Sequence, residues 1–120
     1  MTRAYAYLGL DVLCRMRTFP AAPVLRAAGG GTLLVTSGGF ADNPVPALAS
    51  LSMGKAAMRS AQTLIAAGVR EDGIHAATVT IAGSVVRGTA FDPDIIAELF
   101  WTAHSDPTDA WQTEYRFTGA

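Results

Sequence analysis

Two side chains in this sequence combine reactive chemistry with a position that could use it: Ser37 and Lys55. Ser37 directly follows the apolar run Thr32-Leu33-Leu34-Val35-Thr36. Open α/β sheets form their binding crevices at the carboxyl ends of strands, so a hydroxyl at this point can donate a hydrogen bond to a ligand. Lys55 has the apolar neighbours Met53, Ala56 and Ala57. An amine held among apolar groups can act as a base or as a fixed cation. The other candidates form no constellation. His75 enters an extended segment, and His104 stands near Asp106 and Asp109 at what reads as a solvated helix end. Neither histidine has partners at metal-ligand spacing, so no metal site is expected. Cys14 is the single cysteine, which precludes an internal disulfide and reads as a helix-packing residue. Trp101 and Trp111 read as core or interface anchors.

The elements that must position Ser37 and Lys55 can be traced from spacing. Residues 4–28 carry a helical apolar pattern that Pro20 and Pro23 should kink or split, and Gly29-Gly30-Gly31 ends it. The run 32–36, bounded by glycines, reads as a strand buried on both faces of a parallel sheet. A helix is expected from about Pro46 through residue 67, with Leu48, Leu51, Ala57, Met58, Ala61, Leu64 and Ile65 at helical spacing and Gly68 as its stop. Ile74 to Ile81 is rich in β-branched residues and reads as a second strand. Asp92-Pro93 opens a third helix, with Asp92 as N-cap and Pro93 in the first turn, and Asp106-Pro107 closes it. Thr113 to Phe117 reads as a last short strand. Strand, helix and strand at these lengths make a right-handed βαβ unit, so the fold class is α/β.

Bulk properties narrow the partners. The 120 residues fit a single domain, with half of them hydrophobic and a formal net charge of −1. The nine basic residues are scattered without an aromatic-interleaved stripe, which argues against nucleic acid as a partner. No stretch reaches the roughly 18 apolar residues of a membrane span. Asp11 interrupts the apolar N-terminal run and no small-residue cleavage site follows, so no signal peptide is expected. A reduced, cytoplasmic setting fits best.

Three stretches taken together resemble the carboxyl-terminal half of the short-chain dehydrogenase/reductase family: GGGTLLVTSGG (Gly29 to Gly39), ASLSMGKAAMRS (Ala49 to Ser60) and GIHAATVTIAGSV (Gly73 to Val85). The resemblance implies a partial Rossmann-like parallel sheet of two or three strands with three main helices. It places Ser37, or Thr36 if the alignment slips by one, at the family's serine that binds a substrate carbonyl. Lys55 falls on the lysine of the family's Tyr-x-x-x-Lys motif, which binds the nicotinamide ribose. The tyrosine position is Leu51, which has no proton to give, so the family's acid/base step cannot run through it. Gly83-Ser84-Val85 resembles the loop that touches nicotinamide through its backbone, with Ala82 in place of a proline. This makes Lys55, Gly83 and Val85 the implied cofactor contacts. Thr89 and Phe91 fall in the region that covers the substrate, and Asp11 falls near the family's helix asparagine.

The resemblance also implies what this chain lacks. The glycine-rich phosphate loop has no counterpart, because Gly29-Gly30-Gly31 precedes a strand instead of following one. Residues 1–120 are thus expected to form one domain without an N-terminal dinucleotide-binding segment. Such a chain should bind no NAD(P) alone, and should bind it only if that half is supplied. A small parallel sheet with open edges invites another chain, so a homo-oligomer is expected. Helices 4–28 and 46–67, the family's dimer helices, are the first choice of interface. Three functions follow: an oxidoreductase-like protein with weak or no redox activity of its own, a cofactor-free isomerase, cyclase or dehydratase reusing Ser37 and Lys55, or a non-catalytic interaction module.

Overall fold

A computed structural model of the chain describes residues 21–119. The expected helix over 4–28 is described only from residue 21 on, and Asp11 and Cys14 lie outside the described residues. Three strands form one parallel sheet in the order β1 (Gly31–Gly38), β2 (Ile74–Ile81), β3 (Glu114–Phe117). Helices α1 (Ala21–Ala27), α2 (Ala49–Val69) and α3 (Pro93–Ser105) alternate with them. The α/β class and the parallel pairing of β1 with β2 across α2 are as the sequence implies, and the short tail strand exists, paired to β2 from Thr78 to Ile81.

The two-residue period of the strands sorts the core into two layers. On one face α1 and α2 pack Ala22, Ile65, Ala66 and Val69 against Ile74 and Ala76 of β2, with Leu33 of β1 alongside. On the other face α3 packs Ala103 against Ala77, Val79 and Tyr115, with Leu34 adjoining. Strand β2 is covered on both faces and buried from Ile74 to Thr80, although it carries His75, Thr78 and Thr80. Its buried polar groups are tolerated because partners reach most of them. One such partner, Gln62 of α2, is buried and donates to the carbonyls of Leu33 and Ala77 at 3.4 and 3.2 Å.

Three boundaries differ from the sequence reading. Ser37 lies inside β1 and does not follow it, because the pairing with β2 continues through Ser37 to Thr80 and Gly38 to Ile81. Pro46–Leu48 forms a separate 3-10 turn and the α-helix begins at Ala49. Gly68 does not stop α2, which runs to Val69 and a further 3-10 turn; Gly73, at φ +74°, makes the break. Only glycine adopts that left-handed backbone without strain. Gly30 answers a different demand. A Cβ there would sit 2.5 Å from the Gly73 carbonyl oxygen, and Gly31 donates to that same oxygen at 3.2 Å. The glycine run therefore brings together the two loops that enter β1 and β2.

Helix α3 starts as its sequence dictates. Asp92 accepts a hydrogen bond from the Asp94 amide at 2.9 Å, and Pro93 occupies the first turn.

Candidate active site

A βαβ crossover returns α2 antiparallel to the strands, so its first turns stand over their carboxyl ends. Leu51, Lys55, Met58, Gln62, Ile65 and Val69 recur at intervals of three and four and share one stripe of α2. The last four are buried against the sheet. Lys55 is half-buried and Leu51 is 40% exposed, so the amino-terminal end of this stripe projects past the cover that buries the rest. That overhang, the end of β1 and the segment after β2 bound the candidate site.

Ser37 lies at this end of β1, on the face that α2 covers. Its side chain is buried, and among the described residues its Oγ has no hydrogen-bond partner. An unmade hydrogen bond on a buried hydroxyl costs about 1–3 kcal/mol, so a polar ligand atom reaching Ser37 would recover it. Thr36, the alternative hydroxyl, is exposed on the opposite face. The serines flanking Leu51 point elsewhere, as a 100° step per residue requires. Ser52 is buried and its Oγ accepts from the Val45 amide at 3.1 Å, which ties down the loop entering the helix. Lys55 takes no part in the ion pairs formed among the described residues.

Beside Ser37 across the sheet stand Thr80 and then Arg116, in register and on the same face. Here a closed ring of four charges connects α2, the loop at Asp42 and β3. Arg59 of α2 bonds Asp42 at 2.8 Å and Glu114 at 3.2 Å, and Arg116 bonds the same two carboxylates at 2.6 and 3.1 Å. Thr80 donates to Glu114 at 2.6 Å. The guanidinium groups of Arg116 and Arg59 hold the Asp42 carboxyl well below the usual carboxylate range. The ring balances two positive against two negative charges, and among the described residues Lys55 stands outside it, without an ion-pair partner. Sequence reading missed it: Arg59 and Arg116 looked like scattered surface charges and Asp42 like a loop residue. Only the register of β3 on β2 brings them together, and no short-range pattern encodes that register.

The loop after β2 carries Gly83, Ser84 and Val85, all exposed. A Cβ on Gly83 would overlap the Phe91 ring, which also meets Phe117 edge-on at 5.5 Å. Gly83 is thus required by an internal neighbour. Asp92 closes this loop as well as capping α3, accepting from the Gly88 amide at 2.6 Å; these backbone donors lower its pKa. Thr89 donates to the Val86 carbonyl, so it braces the loop.

The remaining candidates fall away from this end. His104 meets Thr32 through Nδ1 at 2.8 Å and neither Asp106 nor Asp109. His75 is buried near the amino end of β2, stacked on Trp111. Trp101 is 65% exposed and is not a core residue. Among the described residues no group of three or more His, Cys, Asp or Glu could hold a metal ion, and no helix is long and apolar enough to cross a membrane.

No protein-family model and no curated protein matches the sequence. Solved structures do share its fold. A short-chain dehydrogenase from Rhodopseudomonas palustris superposes with a TM-score of 0.79 at 17% identity, over 100% of this chain and 54% of that one. A metagenomic short-chain oxidoreductase in complex with NADP superposes with a TM-score of 0.70 at 22% identity, over 92% of this chain and 50% of that one. The chain therefore has a short-chain-dehydrogenase-like, Rossmann-like α/β fold and spans about half the length of each neighbour.

Proposed function

We propose that this chain supplies the substrate side of a short-chain-dehydrogenase-like oxidoreductase fold and has weak or no NAD(P)-dependent redox activity of its own. The buried Ser37 hydroxyl at the carboxyl end of β1, without a partner among the described residues, carries this reading. It lies where a crevice forms in open α/β sheets and under the overhanging stripe of Lys55 and Leu51. In that arrangement Ser37 donates to the oxygen of a small carbonyl or alcohol. Lys55 sets a positive potential over the crevice, and Leu51 gives an apolar wall.

The proton that a carbonyl reduction must deliver has no donor at position 51, and Ser52, one residue along, is buried under the loop whose Val45 amide donates to its Oγ. The cofactor fit is partial. Lys55 and Val85 are accessible enough to meet the nicotinamide ribose end of NAD(P), whereas the space beside Gly83 belongs to Phe91. Within the described residues, the glycine run that could approach a pyrophosphate sits at the amino end of β1, the wrong end for a dinucleotide. A complete NAD(P) site thus needs elements beyond the described residues, and no chemical step is assigned through it.

We also infer a homodimer through α2 and residues 4–28, the two segments that the resemblance matches to the family's dimer helices. Outward residues Met53 and Leu64 of α2 are 56% and 72% exposed, with Ala57, Ser60 and Ala67 between and beyond them on one stripe. Small and apolar side chains in that order suit close helix packing.

The test of the substrate site is ligand-observed NMR with cyclohexanone as probe. Binding that weakens at least fivefold in Ser37→Ala, with the amide spectrum otherwise unchanged, supports the reading. Equal binding by the wild type and Ser37→Ala removes Ser37 from the site and overturns it.

A further inference from the structure

The segment that leaves β1 crosses over Ser37 on its way to α2. Ser37, Thr80 and Arg116 form one row across the three strands, on the face that α2 covers. Neighbouring strands lie about 4.8 Å apart, so this row is about 10 Å wide. Asp42, five residues after Ser37, reaches its far end. The Asp42 carboxylate accepts from Arg116 at 2.6 and 3.1 Å and from Arg59 of α2 at 2.8 Å. On the way, the 3-10 turn Gly39–Ala41 packs against α2, and the Asp42 and Asn43 amides close it by donating to the Gly39 carbonyl at 3.1 and 2.9 Å. Ser37 is 5% exposed beside this turn, although it stands one residue from the end of its strand.

The two ends of this segment are built differently. At its base Gly38 has extended backbone, and neither Gly38 nor Gly39 has a positive φ. A Cβ on Gly39 would meet nothing within 4 Å, and one on Gly38 would make only an ordinary 3.7 Å contact with the Ile81 carbonyl oxygen. Neither backbone shape nor crowding requires this glycine pair; what it supplies is rotational freedom, the property of a hinge. At the other end Pro44 and Pro46 stiffen the chain, and the Val45 amide is fixed to Ser52 Oγ at 3.1 Å. Between hinge and anchor, half-buried Phe40 is the one large apolar side chain. The Asp42 carboxylate does the rest of the fastening.

We propose that residues 38–43 form a strap that turns on the Gly38-Gly39 hinge, and that the bonds of Asp42 to Arg59 and Arg116 latch it shut over the Ser37 hydroxyl. Access to Ser37 then requires the latch to open, and the apparent affinity of any ligand falls with the fraction of chains that are open. The gating of a substrate rests on the reading of Ser37 given above; the shielding of the hydroxyl does not.

Alkylation by iodoacetamide of the thiol introduced by Ser37→Cys, in a Cys14→Ser background, reads the opening, because a buried thiol reacts only while it is exposed. A second thiol, from Val79→Cys on the sheet face that α3 covers, reads opening of the whole fold. Asp42→Asn and Arg116→Gln both cut the latch but change the charge in opposite senses. Each should speed labelling at position 37 about fivefold more than at position 79. Gly39→Ala fits without a clash and stiffens the hinge, so it should slow labelling at position 37 about two- to threefold relative to position 79. Equal acceleration at the two positions, acceleration by only one of the two latch variants, or no slowing by Gly39→Ala would each overturn the proposal. Cyclohexanone binding is read separately: its absence alongside accelerated labelling removes the substrate reading and leaves the strap in place.

Discussion

Tyr115 shows how a single residue ties the tail to the core. Its hydroxyl donates to Asp106 Oδ2 at 2.5 Å and the ring is buried beneath α3. Burial first, and then the Asp106 carboxylate, push its pKa up to about 12. A phenol whose folded pKa lies above its unfolded value of about 10 contributes stability that is intact below pH 10 and lost as pH rises toward 12. Tyr115→Phe should therefore lower the urea midpoint at neutral pH, by about 1–2 kcal/mol in stability. It should also flatten the decline between pH 10 and 12. Gly83→Ala makes the complementary case for crowding. The added methyl meets the Phe91 ring, and a loss of about 1–3 kcal/mol is expected by thermal or chemical denaturation. Residue-scale chemistry was partly legible in the sequence. The Asp92 cap could be read from Asp-Pro-Asp alone, since capping is local. The state of Ser37 could not, because a hydroxyl without a partner among the described residues is defined by what fails to reach it.

Among the elements, α2 is the one that organises the molecule. Its buried stripe seals one face of the sheet, its overhang carries Lys55 and Leu51, and Arg59 joins it to the loop at Asp42 and to β3. The helices and strands among the described residues were legible from periodicity, with errors at ends such as Pro46 and Gly68, where a 3-10 turn or a left-handed glycine sets the boundary. The ring of Arg59, Asp42, Arg116 and Glu114 was not legible, since its members are up to 74 residues apart and meet only through strand register. Asp42, held below the usual carboxylate range, contributes stability that is present above its unfolded pKa of about 4 and lost as pH falls below it. Its side chain is 26% exposed, so solvent screens part of the effect. Asp42→Asn should lower stability at pH 7 and give a shallower acid limb than the wild type in denaturation from pH 5 to 2.

At the scale of the whole molecule, half of a short-chain-dehydrogenase-like fold holds together because β2 is sheathed by helices on both faces and flanked by β1 and β3. The proposed dimer joins through the outer stripe of α2. Leu64→Glu puts a charge in the middle of that α2 stripe, so sedimentation velocity should show a dimer for the wild type and a monomer for this variant. The most direct test of the functional proposal is NADPH oxidation by the purified chain with small ketones, followed at 340 nm. The expected result is turnover at or near background, because position 51 carries leucine and the described residues complete only part of a nucleotide site. Saturable, ketone-dependent oxidation at rates ordinary for an enzyme, abolished by Lys55→Ala, would contradict it.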